Sequence, residues 1–256
     1  IRRQRQMCIR DRDTPAFQEA QDAAKRAADD AQASPDAPKG VIALIRAYWR
    51  ELLTAFVLVA AANTVGYALT SYMPTYLTGT LGYDEVHGTL LTLPVLVAMA
   101  LCIPLTGKLS DRIGRKRVLF IGSISAVVLA VPSFLFMMHG EIWSTLLGLV
   151  LLAFPVTFYV ANLASSLPAL FPTSSRYGGM GISYNLAVAL FAGTAPVVME
   201  ALVQLTGSSL APAFYVIGTS VAGFIAVIVL KESARRPLPG AMPSVQTIEE
   251  LSLIHI

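Results

Sequence analysis

From residue 52 to residue 230 the chain alternates long apolar runs with short polar stretches. Six apolar runs stand out, at 52–76, 88–107, 118–138, 142–165, 180–202 and 213–230. Each is close to the ~20 residues that a helix needs to cross a hydrocarbon core of ~30 Å. Lipid offers no partner to a free backbone N–H or C=O, so segments of this length that span must be helical. The pattern therefore predicts an all-α membrane protein of six transmembrane helices. Residues 41–49 are amphipathic and are expected to lie along the interface, with Tyr48 and Trp49 at headgroup depth. Upstream, residues 13–39 are rich in Ala, Asp, Gln and Lys and carry Pro15, Pro35 and Pro38. They read as a solvated helix over 15–32 and then a link. The expected division is a non-native end at 1–12, a linker and interfacial segment at 13–47, a six-helix bundle at 48–230 and a tail at 231–256. The last residues of that tail, 251–256, are also expected to be non-native.

Charge orients this bundle. Ten Lys and Arg precede the first run, five lie at 108–117, one (Arg176) lies between the fourth and fifth runs, and three follow the sixth. The alternate loops at 77–87, 139–141 and 203–212 contain none, and carry Asp84, Glu85, His87, His139 and Glu141 instead. Lys and Arg in short loops mark the cytoplasmic side, so both termini are expected in the cytoplasm. The net charge of +3 is concentrated beside the spans and gives no reason to expect nucleic acid as a partner. The two cysteines, Cys8 and Cys102, form no disulfide framework.

The sequence lacks the usual marks of catalysis. Its three histidines, His87, His139 and His255, lie outside the runs. It contains no His-Glu-x-x-His metal pair, no Gly-x-Ser-x-Gly elbow and no Lys-Ser/Thr phosphate loop. No enzyme activity, metal or cofactor is expected.

The stretch Gly107-Lys-Leu-Ser-Asp111-Arg112-Ile-Gly114-Arg115-Lys116-Arg117 is denser in information. Gly107 permits close helix approach at a span end, Gly114 permits a tight turn, and Asp111 can neutralise a cation or face a helix N-terminus. The stretch resembles the Gly-x-x-x-Asp-Arg-x-Gly-Arg-Lys/Arg signature of the major facilitator superfamily. A plain orienting basic loop explains the charges but neither glycine nor Asp111. A second block, residues 168–185, is similar to the metabolite:proton symporter branch of that superfamily. Phe171, Pro172, Thr173, Arg176, Tyr177, Gly179, Met180, Gly181, Tyr184 and Asn185 carry this likeness. Ser174 and Ser175 depart from the more usual pair before the arginine. The first run, with Asn63, Tyr67 and Tyr72-Met-Pro-Thr-Tyr-Leu77, is similar to the seventh helix of the same branch.

The resemblance covers residues 14–236. It implies that the six runs are the seventh to twelfth helices of a twelve-helix carrier, with an N-terminal six-helix half as partner. It also implies proton-coupled symport of a small carboxylate or zwitterionic metabolite across a bacterial inner membrane. Polar residues inside spans are costly unless used, which singles out Asn63, Tyr67, Tyr159, Asn162, Tyr184 and Asn185 as substrate contacts. Asn63 and Tyr67 are four residues apart and share a helix face. Each asparagine can instead serve as helix–helix glue. Gly107, Asp111, Arg112, Gly114, Arg115 and Arg176 are expected to form a cytoplasmic latch. Pro94, Pro104, Pro155 and Pro196 are expected to bend their helices. The rival reading is a self-contained six-span protein with a structural or enzymatic role.

Overall fold

A computed structural model describes residues 40–172, 175–230 and 232. The terminal segments 1–39 and 233–256, with Thr173, Ser174 and Lys231, lie outside the described residues, and with them most of the linker and tail. The described chain is helical throughout. A short helix α1 (Val41–Ala47) is followed by six long apolar helices: α2 (Trp49–Thr80), α3 (Glu85–Ile113), α4 (Arg115–Met138), α5 (Ile142–Ser166), α6 (Arg176–Thr206) and α7 (Ala211–Val229). The expected six spans are present, and all six are longer or more sharply bounded than hydropathy indicated. Polar and charged residues extend a helix past the hydrocarbon edge, where hydropathy has nothing to read.

The largest difference falls at the basic stretch. Residues 108–117 are expected as a loop, but α3 runs on through Lys108, Ser110 and Arg112 to Ile113, and α4 begins at Arg115. The connection is Gly114 alone, at φ +106°. An L side chain rarely adopts that conformation, so the turn needs glycine.

Helix α2 is the centre of the bundle. It packs on α7, α6 and α5, while α4 and α5 pair with each other and α3 leans on α5. Small residues allow these approaches: a Cβ at Gly148 would meet the Ser133 carbonyl of α4 at 2.5 Å, and one at Gly223 would meet Ala61 of α2 at 2.5 Å. Close backbone approach is the usual source of adhesion between helices in lipid, where the hydrophobic effect is silent. At the end of the bundle where α2 meets the α6–α7 connection, the core is aromatic. Tyr72 and Tyr76 of α2 are fully buried, Tyr76 stands edge-on to Phe134 at 5.3 Å, and its hydroxyl donates to the Ser209 carbonyl at 2.8 Å.

The prolines divide into two groups. Helices α3 and α5 continue unbroken through Pro94, Pro104 and Pro155, and α4 does so through Pro132. At Pro196 the helix is interrupted: α6 widens to a π-turn at Val188–Ala192, passes through Gly193 and Thr194, and resumes at Ala195. Helix α2 likewise carries π-turns at Ala68–Tyr72 and Tyr76–Thr80, on either side of Pro74. Proline removes a donor and crowds the carbonyl four residues back, and a widened turn relieves that crowding.

Candidate functional site

A cavity of about 580 Å³ opens between α2, α3, α5 and α6. Its α2 wall is Asn63, Gly66, Tyr67 and Thr70, one face of the helix at three- and four-residue spacing. Tyr184 and Met180 of α6 stand opposite, and Met99 and Val160 close the sides. Tyr67 and Tyr184 are 36% and 42% exposed, so both rings reach open space. Asn63 donates one amide N–H to the Val59 carbonyl at 2.8 Å, which leaves the second N–H and Oδ1 for another partner. The wall thus combines an amide, two phenols and an apolar lining.

The structure brings together three of the six sequence-nominated contacts, Asn63, Tyr67 and Tyr184. Tyr159 is fully buried and donates to Ser123 Oγ at 3.0 Å, tying α5 to α4. Asn162 is also fully buried, with Nδ2 on the Phe158 carbonyl. Asn185 is exposed, donates to the Gly181 carbonyl and does not line this cavity. Gly66 and Thr70 escape the sequence reading. Their spacing from Asn63 and Tyr67 marks them, but neither is polar enough to attract notice alone.

At the other functional stretch, the Gly114 turn is held by a carboxylate from the far end of the chain. Glu232 accepts from the backbone N–H of Arg115 at 3.0 Å and of Lys116 at 3.2 Å. Those are the first N–H groups of α4, which have no partner inside the helix and sit at its positive end. Lys116 Nζ donates to the Ile228 carbonyl at 2.7 Å, and Arg115 Nη1 to the Ser165 carbonyl at 3.1 Å. The turn is therefore bound to the ends of α5 and α7.

Asp111 and Arg112 are exposed on the rim of a notch beside this turn. Gly107 meets nothing within 4 Å, so no described helix takes up the close approach expected of it. Arg176 Nε donates to the Pro168 carbonyl at 3.0 Å and the Phe171 carbonyl at 3.4 Å, knotting the α5–α6 connection. Glu232 escapes the sequence reading because it lies more than a hundred residues away in the chain. The available signal was an acid directly after the last span, at the end where five cations cluster.

This geometry is that of a bundle with a one-sided polar cavity, and sequence comparison assigns it. Residues 3–241 match the family described as sugar (and other) transporter. The chain belongs to that family, within the major facilitator superfamily. Proteins similar to this chain include the ectoine/proline transporter ProP of Corynebacterium glutamicum. It is 44% identical over 238 residues, covering 93% of this chain and 47% of the relative. The proline/betaine transporter of Escherichia coli (strain K12) is 38% identical over 245 residues, 95% of this chain and 48% of that protein. The glycine betaine/proline/ectoine/pipecolic acid transporter OusA of Dickeya dadantii is 39% identical over 203 residues, 79% of this chain and 40% of the relative. The chain thus spans about half the length of the relatives it matches. The resemblance to the proline/betaine-like branch holds, and the family and these relatives are transporters rather than enzymes. This removes the enzymatic form of the rival reading. With six apolar helices, the chain is a multi-pass membrane protein whose relatives are bacterial.

Proposed function

We propose that this chain is one half of a secondary carrier for a small zwitterionic osmolyte of the proline, betaine or ectoine kind. The observation that carries the reading is the 44% identity to an ectoine/proline transporter over 93% of this chain. The cavity chemistry supports it. Tyr67 and Tyr184 offer aromatic faces to a substituted ammonium, an attraction of roughly 0.5–2 kcal/mol per ring. The free N–H of Asn63 suits the substrate carboxylate. A sugar would need many more donors and acceptors than this wall supplies.

The partner in this reading is an N-terminal six-helix half, and alternating access arises as the halves rock about a midplane site. Burial supports its location. Only 17% of the apolar window of α3 and 22% of that of α6 are buried, against 61% for α2. Helices α3 and α6 are the faces left for the second half. Asp111 and Arg112, exposed beside the Gly114 turn, are placed to form the latch with it, while Arg115 keeps its contacts within this half. Symport with protons follows from the likeness of residues 168–185 to the proton-symporter branch. The inner-membrane location follows from the same likeness, and the cytoplasmic termini from the loop charges.

Uptake of labelled proline, ectoine and glycine betaine, with glucose as the contrast, tests the reading. The measurement uses cells producing this chain joined to an N-terminal half. Saturable uptake of at least one osmolyte, abolished by a protonophore and absent for glucose, is expected. Glucose uptake without osmolyte uptake would contradict it.

A further inference from the structure

Glu200 is the only charged side chain inside the six apolar runs. It is half-buried near the Thr206 end of α6 and does not line the osmolyte cavity. A carboxylate within a span is costly, and where one occurs it marks a path for an ion, a proton or a substrate. Two neutral donors hold it. The Tyr72 hydroxyl of α2 donates to Oε2 at a long 3.5 Å, and Gln204 Nε2, one turn further along α6, donates to Oε1 at 3.1 Å. Tyr72 is fully buried, so its hydroxyl looks to Glu200 for an acceptor. This part of α6, Ala195–Thr206, packs on α2 and α7. Besides Glu200, the three helices carry only Arg50, Glu51 and Arg176 as charged residues, all at the opposite end of the bundle. The other titratable groups that α2 and α7 bring towards this end are phenols: Tyr76, bonded to the Ser209 carbonyl, and Tyr215, bonded to Thr64. No cation of these helices is placed to offset the carboxylate.

The backbone connects this acid to the cavity. The π-turn of α2, Ala68–Tyr72, presents Thr70 to the cavity and Tyr72 to Glu200. On α6, the π-turn Val188–Ala192 and the opening at Gly193 and Thr194 lie between Tyr184 of the cavity and Glu200. Both helices thus widen where they join the substrate wall to the acid, and widened turns of this kind recur at functional sites. We propose that Glu200 is a proton-binding residue of the carrier, ionised and protonated in turn as the osmolyte crosses. The proton comes from water on the side where the osmolyte enters and returns to water on the other, and the osmolyte is unchanged. A neutral carboxyl is far cheaper than a carboxylate in apolar surroundings, so protonation biases the bundle towards the state that buries Glu200 more deeply. This inference rests on the proton-symport reading and names a residue for it.

The test uses this chain joined to an N-terminal half, in proteoliposomes, with labelled ectoine and labelled proline as probes. A pH electrode reads the protons that enter with the osmolyte, and counterflow without a pH gradient reads osmolyte exchange alone. The wild type should take up protons with the osmolyte. Glu200→Gln should cut proton uptake per osmolyte about tenfold and abolish accumulation against a gradient, while counterflow continues at close to the wild-type rate. Glu200→Asp keeps the carboxyl and should retain coupling. Glutamine still accepts from Tyr72, so a side chain that only ties α2 to α6 leaves proton uptake unchanged in Glu200→Gln. Undiminished proton uptake by that variant would overturn this inference alone. Loss of counterflow in both Glu200→Gln and Glu200→Asp would overturn it too, by making the residue structural. Osmolyte entry without protons in the wild type would overturn the proton-symport reading, and this inference with it.

Discussion

Glu232 shows how one side chain can fix the join between two spans. Its carboxylate takes the first two N–H groups of α4, and the ordinary contribution of such a cap is roughly 0.5–2 kcal/mol. Because the group is only half-buried, the lower part of that range applies here. Glu232→Ala is expected to lower stability by about 1 kcal/mol, measured by reversible unfolding in mixed micelles. No change would mean that α4 starts without its cap. The two tyrosine sets separate binding from packing at the same scale. In the restored carrier, Tyr67→Leu should raise the KM for an osmolyte about tenfold, at roughly 1.4 kcal/mol, with little loss of protein. Tyr159→Phe removes only the hydroxyl bond to Ser123, and should cost about 1 kcal/mol of stability while leaving KM unchanged. A shift in KM for Tyr159→Phe alone would move the site into the core.

Among the elements, the α3–α4 corner is the most constrained. Gly114→Ala places a Cβ at φ +106° and 2.6 Å from Glu232 Oε2. A loss of roughly 1–2 kcal/mol from backbone strain is expected, with partial release of the cap. Thermal unfolding at wild-type temperature would contradict the tight turn. The spans were legible in the sequence because twenty apolar residues have few other uses, and the cation count of the loops is independent of hydropathy. The corner was not legible: Lys108 to Arg117 read as a loop by charge, while helices continue beyond the membrane wherever turns can still be bonded. Prolines were legible as residues and not as breaks. The helices run on through Pro94, Pro104 and Pro155, whereas openings of the helix flank Pro74 and precede Pro196, beside Gly193 and Thr194. Asn63 and Tyr67 reached one cavity because their spacing fixes a shared face. Tyr159 and Asn162 also have helical spacing, but spacing does not say which way a face points.

For the whole molecule, orientation and substrate are the two claims to settle. With Cys8 and Cys102 replaced by serine, a cysteine at Glu141 should react with an impermeant thiol reagent in intact cells, and one at Arg112 should not. Both positions are exposed, so the contrast reads membrane side rather than burial. Labelling at 112 alone would invert the bundle. The cavity itself is tested most directly by protection. Gly66 lines it and has open space where a side chain would stand, whereas Cys102 is exposed in an apolar cleft between α3 and α5. In the full-length carrier bearing Gly66→Cys, proline or ectoine should slow modification of the introduced thiol in a saturable manner and leave Cys102 unaffected. Modification of the introduced thiol at the same rate with and without either osmolyte, in a carrier that transports it, would contradict the assignment of this cavity to the substrate.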